Sequence, residues 1–328
     1  MVEKVTITRD NGEKVSAKAP VIISASRSTD IPAFYGEWFF NRLKRGYCAW
    51  KNPYNGHKMF VSFENCKFVV FWTKNPKPLI PYLHELDERG INYYFLFTLN
   101  DYVFEGFEPN LPSLDERINT FIELSEKIGK ERVIWRFDPL ILTDKLTPRD
   151  LLVKIWHIGN RLQGYTDKLV FSFIDLYGKT KVNMSKVLPS IPFSEIDRIK
   201  FTDEQQEEIF EGLVKMKEHW KTIGWDIEMA TCAENKTYKN GVDIKHNKCI
   251  DPDLIMRLCA DDTEMCEYVS GLKKASGQRP LCGCINSQDI GCYNTCLHQC
   301  AYCYANRDND TAKQNSERHD PNNECIVE

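Results

Sequence analysis

Six short apolar runs alternate with amphipathic helical stretches along this 328-residue chain, and the alternation predicts an α/β protein built on a parallel sheet. Three observations carry that expectation. The runs Val21–Ser24, Phe68–Trp72, Tyr93–Thr98, Val133–Phe137, Leu169–Ile174 and Ile227–Ala230 are apolar at nearly every residue, as strands covered on both faces must be. The stretches between them are long enough for the crossover that a parallel neighbour requires. Each run also ends in a polar cluster, and such folds build active sites at the C-terminal ends of their strands. Six repeats fit an open, partial (β/α)6 barrel or a doubly wound sheet, and the partial barrel is the reading adopted.

Taken in order, residues 1–18 read as a hairpin turning at Asn11-Gly12. Residues 19–250 hold the repeats, with helices expected at Phe34–Leu43, Leu79–Leu86, Leu114–Ile128, Pro148–Leu162 and Glu204–Trp220. Within Leu114–Ile128, the residues Ile118, Phe121, Ile122 and Leu124 share one helical face, and Ile128 extends it. Thr147 is placed to cap the next helix, with Pro148 at its first position. Glu228 lies inside the sixth run, where an inward carboxylate would face the interior of a barrel. Residues 251–306 form a cysteine-rich segment that begins with a helix after Asp251-Pro252. Residues 307–328 are polar, so disorder or a docked arm is the expectation there.

Composition narrows the function class. Hydrophobic residues make up 42 % and charged residues 27 %, the profile of a soluble globular protein. A formal net charge of −4 gives no general attraction to nucleic acid and leaves only a local basic groove open. No apolar run approaches the roughly 18 residues that span a bilayer. The opening MVEKVTITRDNGEK is too polar for a signal peptide, so a cytoplasmic location with no membrane partner is expected. There is no G-x-G-x-x-G after the first run and no Walker loop. Thirteen cysteines are many for a reducing compartment, and eleven of them fall between Cys232 and Cys325. That crowding favours metal or redox chemistry over disulfides. Cys48 and Cys66 read as small buried hydrophobes, and Cys259 and Cys266 as packing residues. Cys292 and Cys325 are assigned to neither metal group.

Cys296, Cys300 and Cys303 are spaced C-x3-C-x2-C, with Tyr302 just before the third. Three such thiolates can hold three irons of a 4Fe-4S cluster and leave the fourth iron open to an exogenous ligand. A zinc site recruiting His298 or another cysteine is the alternative. A dithiol at Cys300 and Cys303 would leave Cys296 unexplained. A second group, Cys232, Cys249, Cys282 and Cys284, suits a closed 4Fe-4S cluster that passes electrons, with zinc or unliganded thiols as the alternatives. Arg27 and Asp30, Lys74 and Asn75, and Arg136 and Asp138 stand at the ends of the first, second and fourth runs. As a set they suit a zwitterionic ligand, and one by one they equally suit strand-end salt bridges.

The triad with its aromatic residue resembles the signature of the radical S-adenosylmethionine (SAM) enzymes. In that superfamily the open iron chelates the amino and carboxylate groups of SAM, and reductive cleavage gives a 5′-deoxyadenosyl radical. The resemblance implies a partial TIM-like (β/α)6 barrel of radical SAM type, with the charged strand-end residues as candidate SAM contacts. It also implies an external electron donor such as a flavodoxin or ferredoxin. The motif normally lies near the N-terminus, so here it would act from a permuted position, folded back over the strand ends.

Further stretches resemble the domain-of-unknown-function family numbered 1848. They are Ser24-Ala-Ser-Arg-Ser-Thr-Asp-Ile-Pro32, Phe71-Trp-Thr-Lys-Asn-Pro76, Trp135-Arg-Phe-Asp-Pro139, Ser172-Phe-Ile-Asp175, Lys248-Cys-Ile-Asp251, Cys282-Gly-Cys284 and Asp289 through Asn306. That resemblance implies a cluster-binding protein and supplies no reaction. Two departures stand out: Cys292 at a position expected to vary, and Gln299 where glycine usually precedes the second cluster cysteine. The Cys-x-Tyr-Cys-Tyr ending is also similar to that of spore photoproduct lyase, over a handful of residues only. Two rival functions remain at this point. One is a non-enzymatic iron-sulfur or zinc protein for redox sensing or electron transfer. The other is a zinc-water hydrolase or lyase, which seven histidines with no ligand pattern disfavour.

Overall fold

The computed structural model describes residues 2–53, 55–234 and 244–328. In chain order its strands are β1 (Glu3–Thr8), β2 (Lys14–Ala19), β3 (Ile22–Ala25), β4 (Tyr47–Lys51), β5 (Lys58–Ser62), β6 (Phe68–Thr73), β7 (Asn92–Thr98), β8 (Val133–Leu140), β9 (Lys168–Phe173), β10 (Glu228–Thr231), β11 (Lys245–His246) and β12 (Gln288–Asp289). The main sheet has eight parallel strands in the order β11-β10-β9-β8-β7-β6-β3-β12. Its six inner strands are the six apolar runs. The two edge strands were not expected. β12 comes from the cysteine-rich segment and pairs Gln288 with Ile23 and Asp289 with Ser24.

Alternation along the strands divides the core in two. Val69, Phe71, Phe95, Phe97, Trp135 and Phe171 face the side covered by the helices of the repeats. Phe68, Val70, Tyr94, Leu96, Ile134 and Val170 face the other side, where helices Pro252–Leu258 and Thr263–Ser270 supply Leu254, Ile255, Met265 and Val269. Both faces are therefore dry, which accounts for runs apolar at every position. Glu228 does not face this interior. It is exposed and pairs with Lys168 at 3.1 Å, because the first residue of β10 projects from the rim of the sheet.

Helices Leu114–Ile128, Pro148–Leu162 and Asp203–Thr222 each begin with a reciprocal capping box, made by Ser113 with Glu116, Thr147 with Asp150 and Thr202 with Gln205. Gly159 lets two of these helices approach, since a Cβ there would lie 2.4 Å from the Trp220 ring. The stretch expected as one helix at Phe34–Leu43 is two, Ile31–Phe34 and Gly36–Arg45, broken at Tyr35. The stretch Leu79–Leu86 is a single 3-10 turn, Ile80–Tyr82, followed by the short helix His84–Asp87.

The N-terminal hairpin does not stand alone. It joins β4 and β5 in a four-stranded sheet ordered β1-β2-β5-β4. Residues 307–328 dock against this sheet and include helix Asn309–Glu317. Glu324, buried to 7 % exposure, accepts from Arg9 at 2.8 Å, Tyr47 at 2.8 Å and Lys58 at 3.2 Å. No helix among the described residues is long and apolar enough to cross a membrane.

Candidate functional site

The ends of β3, β6 and β7 are tied to the loop that carries the triad, and the end of β8 joins them through Asn100. Asp30, after β3, accepts from His298 Nε2 at 2.8 Å and from the Lys74 amide at 2.7 Å. Its other oxygen caps the helix at Ala33. Lys74 Nζ, just beyond β6, donates to Glu108 at 2.6 Å and to the Tyr302 hydroxyl at 2.8 Å. Tyr302 donates to the same Glu108 oxygen. Asn100, beyond β7, donates to Glu108 at 3.1 Å and to Tyr302 at 3.0 Å, and its side-chain Oδ1 accepts the Asp138 amide at 2.8 Å.

Cys296, Cys300 and Cys303 lie together on that loop, close enough for each to influence the ionisation of its neighbours. Burial pushes Cys300 up to about 12, with Lys74 opposing, and raises Cys296 well above the ordinary thiol range. As free thiols Cys296 and Cys300 would therefore stay protonated; ligation to a cation is what would make them thiolates. Gln299 adopts a left-handed backbone, φ 57°, at the position where glycine would be unstrained. Two buried polar atoms beside the triad have no partner, His298 Nδ1 and Asn306 Oδ1. Asn306 meanwhile donates to the Cys296 carbonyl at 2.7 Å.

The second group also comes together, from three separate segments. Cys232 Sγ lies 3.6 Å from Cys249 Sγ. Cys284 Sγ accepts from the amides of Cys249 at 3.2 Å and Ile250 at 3.4 Å. Cys282 is lowered to about 6, first by its hydrogen bond with Cys284. Cys249 is held well below the ordinary thiol range, first by its hydrogen bond with Cys232, then by that with Cys284, and further by Arg136 and Arg27. Arg279 adds a donor 3.8 Å from Cys232 Sγ. Arg27 Nη2 and Arg136 Nε are buried without a partner.

The remaining predicted residues are less open than their types suggest. Arg136 pairs with Asp138, which also accepts from Ser172. The Asn75 carbonyl is used in its own turn, accepting from Lys77 at 3.4 Å. Lys74 is committed to Glu108 and Tyr302. Glu108, Asn100 and Asp289 were not singled out among the site candidates. Asp289 accepts from the Arg27 amide at 2.8 Å and the Gly291 amide at 2.9 Å, fixing β12 to the strand-end loop. Gly291 is required there, because a Cβ would sit 1.8 Å from Ser26 Oγ.

No three His, Cys, Asp or Glu side chains among the described residues form a ready cage for one ion. A four-iron cluster is larger than an ion, so its cysteines need to be grouped around a volume and not converged on a point. A groove of about 450 Å³ is lined by Ile7, Tyr47, Phe63 and Ile91 and holds neither cysteine group. It opens near the start of β7, at the end of that strand away from the triad. No curated protein and no solved structure matches the chain. Residues 22–305 match the family model described as Domain of unknown function (DUF1848), and the chain belongs to that family.

Proposed function

We propose that the protein is a radical SAM-type enzyme, with its strands read as a partial (β/α)6 barrel whose open-iron cluster is held by Cys296, Cys300 and Cys303. One observation carries the reading: a three-cysteine loop with two orphaned buried polar atoms beside it, docked on the C-terminal ends of parallel strands. The donor set fits, since three thiols with no fourth cysteine on the loop leave one iron position free. When bound, such a cluster supplies the electron that splits SAM and starts radical chemistry on a substrate, with an external flavodoxin or ferredoxin as the source.

The chain's own residues have separable tasks. The three thiols ligate, and Asp30 orients His298 beside them. Arg27 and Arg136 offer unused buried N–H donors to an anionic group. Cys232, Cys249, Cys282 and Cys284 are proposed as ligands of a second, closed cluster that relays electrons, with the three arginines balancing its charge. A second reading applies to this group alone. Two thiolates 2.3 Å from one tetrahedral zinc stand about 3.8 Å apart, close to the 3.6 Å between Cys232 and Cys249, and Cys282 and Cys284 would have to move in to complete the four ligands.

Iron, zinc and labile-sulfide analysis of anaerobically prepared protein tests both readings, with electron paramagnetic resonance spectra before and after SAM. The expected result is about four irons per cluster, a spectrum altered by SAM, and release of 5′-deoxyadenosine with dithionite. Zinc without iron would overturn the radical assignment.

A further inference from the structure

The residues 107–110 touch the triad loop at three successive points. The Phe107 carbonyl accepts the Ala301 amide at 2.9 Å. Glu108 accepts from Tyr302. Asn110 Nδ2 donates to the Leu297 carbonyl at 2.8 Å. Glu108 is the centre of this contact: its side chain is 3 % exposed, and Lys74, Asn100 and Tyr302 all donate to one of its oxygens. Arg117, itself 2 % exposed, lies 3.9 Å from the other oxygen. Burial acts to raise the Glu108 carboxyl, but Lys74 and Arg117 outweigh it and hold it below the usual carboxylate range.

Two buried cations thus face one buried carboxylate. The excess positive charge lies beside Cys300, the thiol that Lys74 influences directly. A loop with two glycine-free turns, one of them forced left-handed at Gln299, has no strong preference of its own for this shape. Something outside the loop must hold it.

We propose that Glu108 is a positioning residue that moulds the triad loop before any metal arrives, acting through the Tyr302 hydroxyl and through Lys74. The proposal rests on the reading of Cys296, Cys300 and Cys303 as one functional set, but it does not require that the set binds iron. With Glu108 removed, Tyr302 loses its acceptor and Lys74 its counter-charge, and the loop opens. The second cysteine group shares no contact with Glu108 and should not respond.

The test uses full-length, metal-free protein under reducing conditions, with iodoacetamide labelling followed cysteine by cysteine by mass spectrometry. In Glu108→Ala, and more mildly in Tyr302→Phe, labelling of Cys296, Cys300 and Cys303 is expected to accelerate about tenfold or more. Labelling of Cys232, Cys249, Cys282 and Cys284 should stay within twofold of the parent. Tyr302→Phe removes one oxygen and keeps the ring, so it serves if Glu108→Ala does not fold. Equal acceleration of both cysteine groups would mean general loosening and would overturn the proposal, as would unchanged rates at the triad. Because no iron or SAM is present, failure here is distinct from failure of the radical assignment, which metal analysis decides.

Discussion

The two cysteine groups are built in opposite ways. The triad sits on one loop of eight residues, and its shape is imposed from outside by Asp30, Lys74, Asn100 and Glu108. The second group is assembled from the end of β10, the segment around Cys249 and the Cys282-Gly-Cys284 turn, and it is faced by Arg27, Arg136 and Arg279. A local group needs a mould, whereas a dispersed group needs only that the sheet be correctly folded. Substitutions should therefore separate them.

The largest effect is expected from replacing Cys296, Cys300 and Cys303 together by Ala. SAM cleavage should vanish and about four irons should be lost, while metal at the second group persists. Retained 5′-deoxyadenosine release would refute the assignment of the triad. Next, Cys282→Ala and Cys284→Ala should each remove the metal of the second group and leave the triad's resonance signal in place. Metal content equal to the parent in both variants would make these thiols mere packing.

A smaller effect concerns the docking of the tail on the four-stranded sheet. The Glu324 carboxyl is held at about 2, burial being outweighed by Arg9, Tyr47 and Lys58. A carboxyl depressed in the folded state stabilises above its unfolded value of 4.5, and the contribution is lost as pH falls from there toward 2. Glu324→Gln should cost about 2 kcal/mol at neutral pH, discounted for solvent reaching its partners. The gap between parent and variant in thermal unfolding should narrow at pH 3. The smallest effect is expected at Gln299. Replacement by Gly relieves the left-handed backbone and should add about 1 kcal/mol in denaturant titration. Destabilisation there would mean that the Gln299 side chain has a role of its own.

Much of the sheet was legible because parallel strands buried on both faces leave continuous apolar runs, as Phe68–Thr73 and Asn92–Thr98 do. β12 was not, since two polar residues carry no periodicity and pair only through a partner 265 positions away. β4 and β5 were missed although Asn55-Gly56 lies between them, a turn signal like the one that marked the first hairpin. The triad could be read from its spacing. Glu108 could not, because it stands in a polar connection and owes its role to Lys74 and Tyr302, which lie 34 positions before it and 194 after it. The tail, read from composition as disorder or a docked arm, is docked because Glu324 finds three donors on β-strands and loops far away in sequence.

The pairing of β12 with β3 also has a consequence during synthesis. At about 5–20 residues per second, roughly 13–50 seconds separate the emergence of the two strands from the ribosome. Throughout that interval one side of β3 presents unpaired backbone groups, a template for pairing with another chain. Nascent protein thus carries an open β3 edge until the cysteine segment arrives. Slowing translation upstream of residue 288 should lower soluble yield more than slowing it downstream.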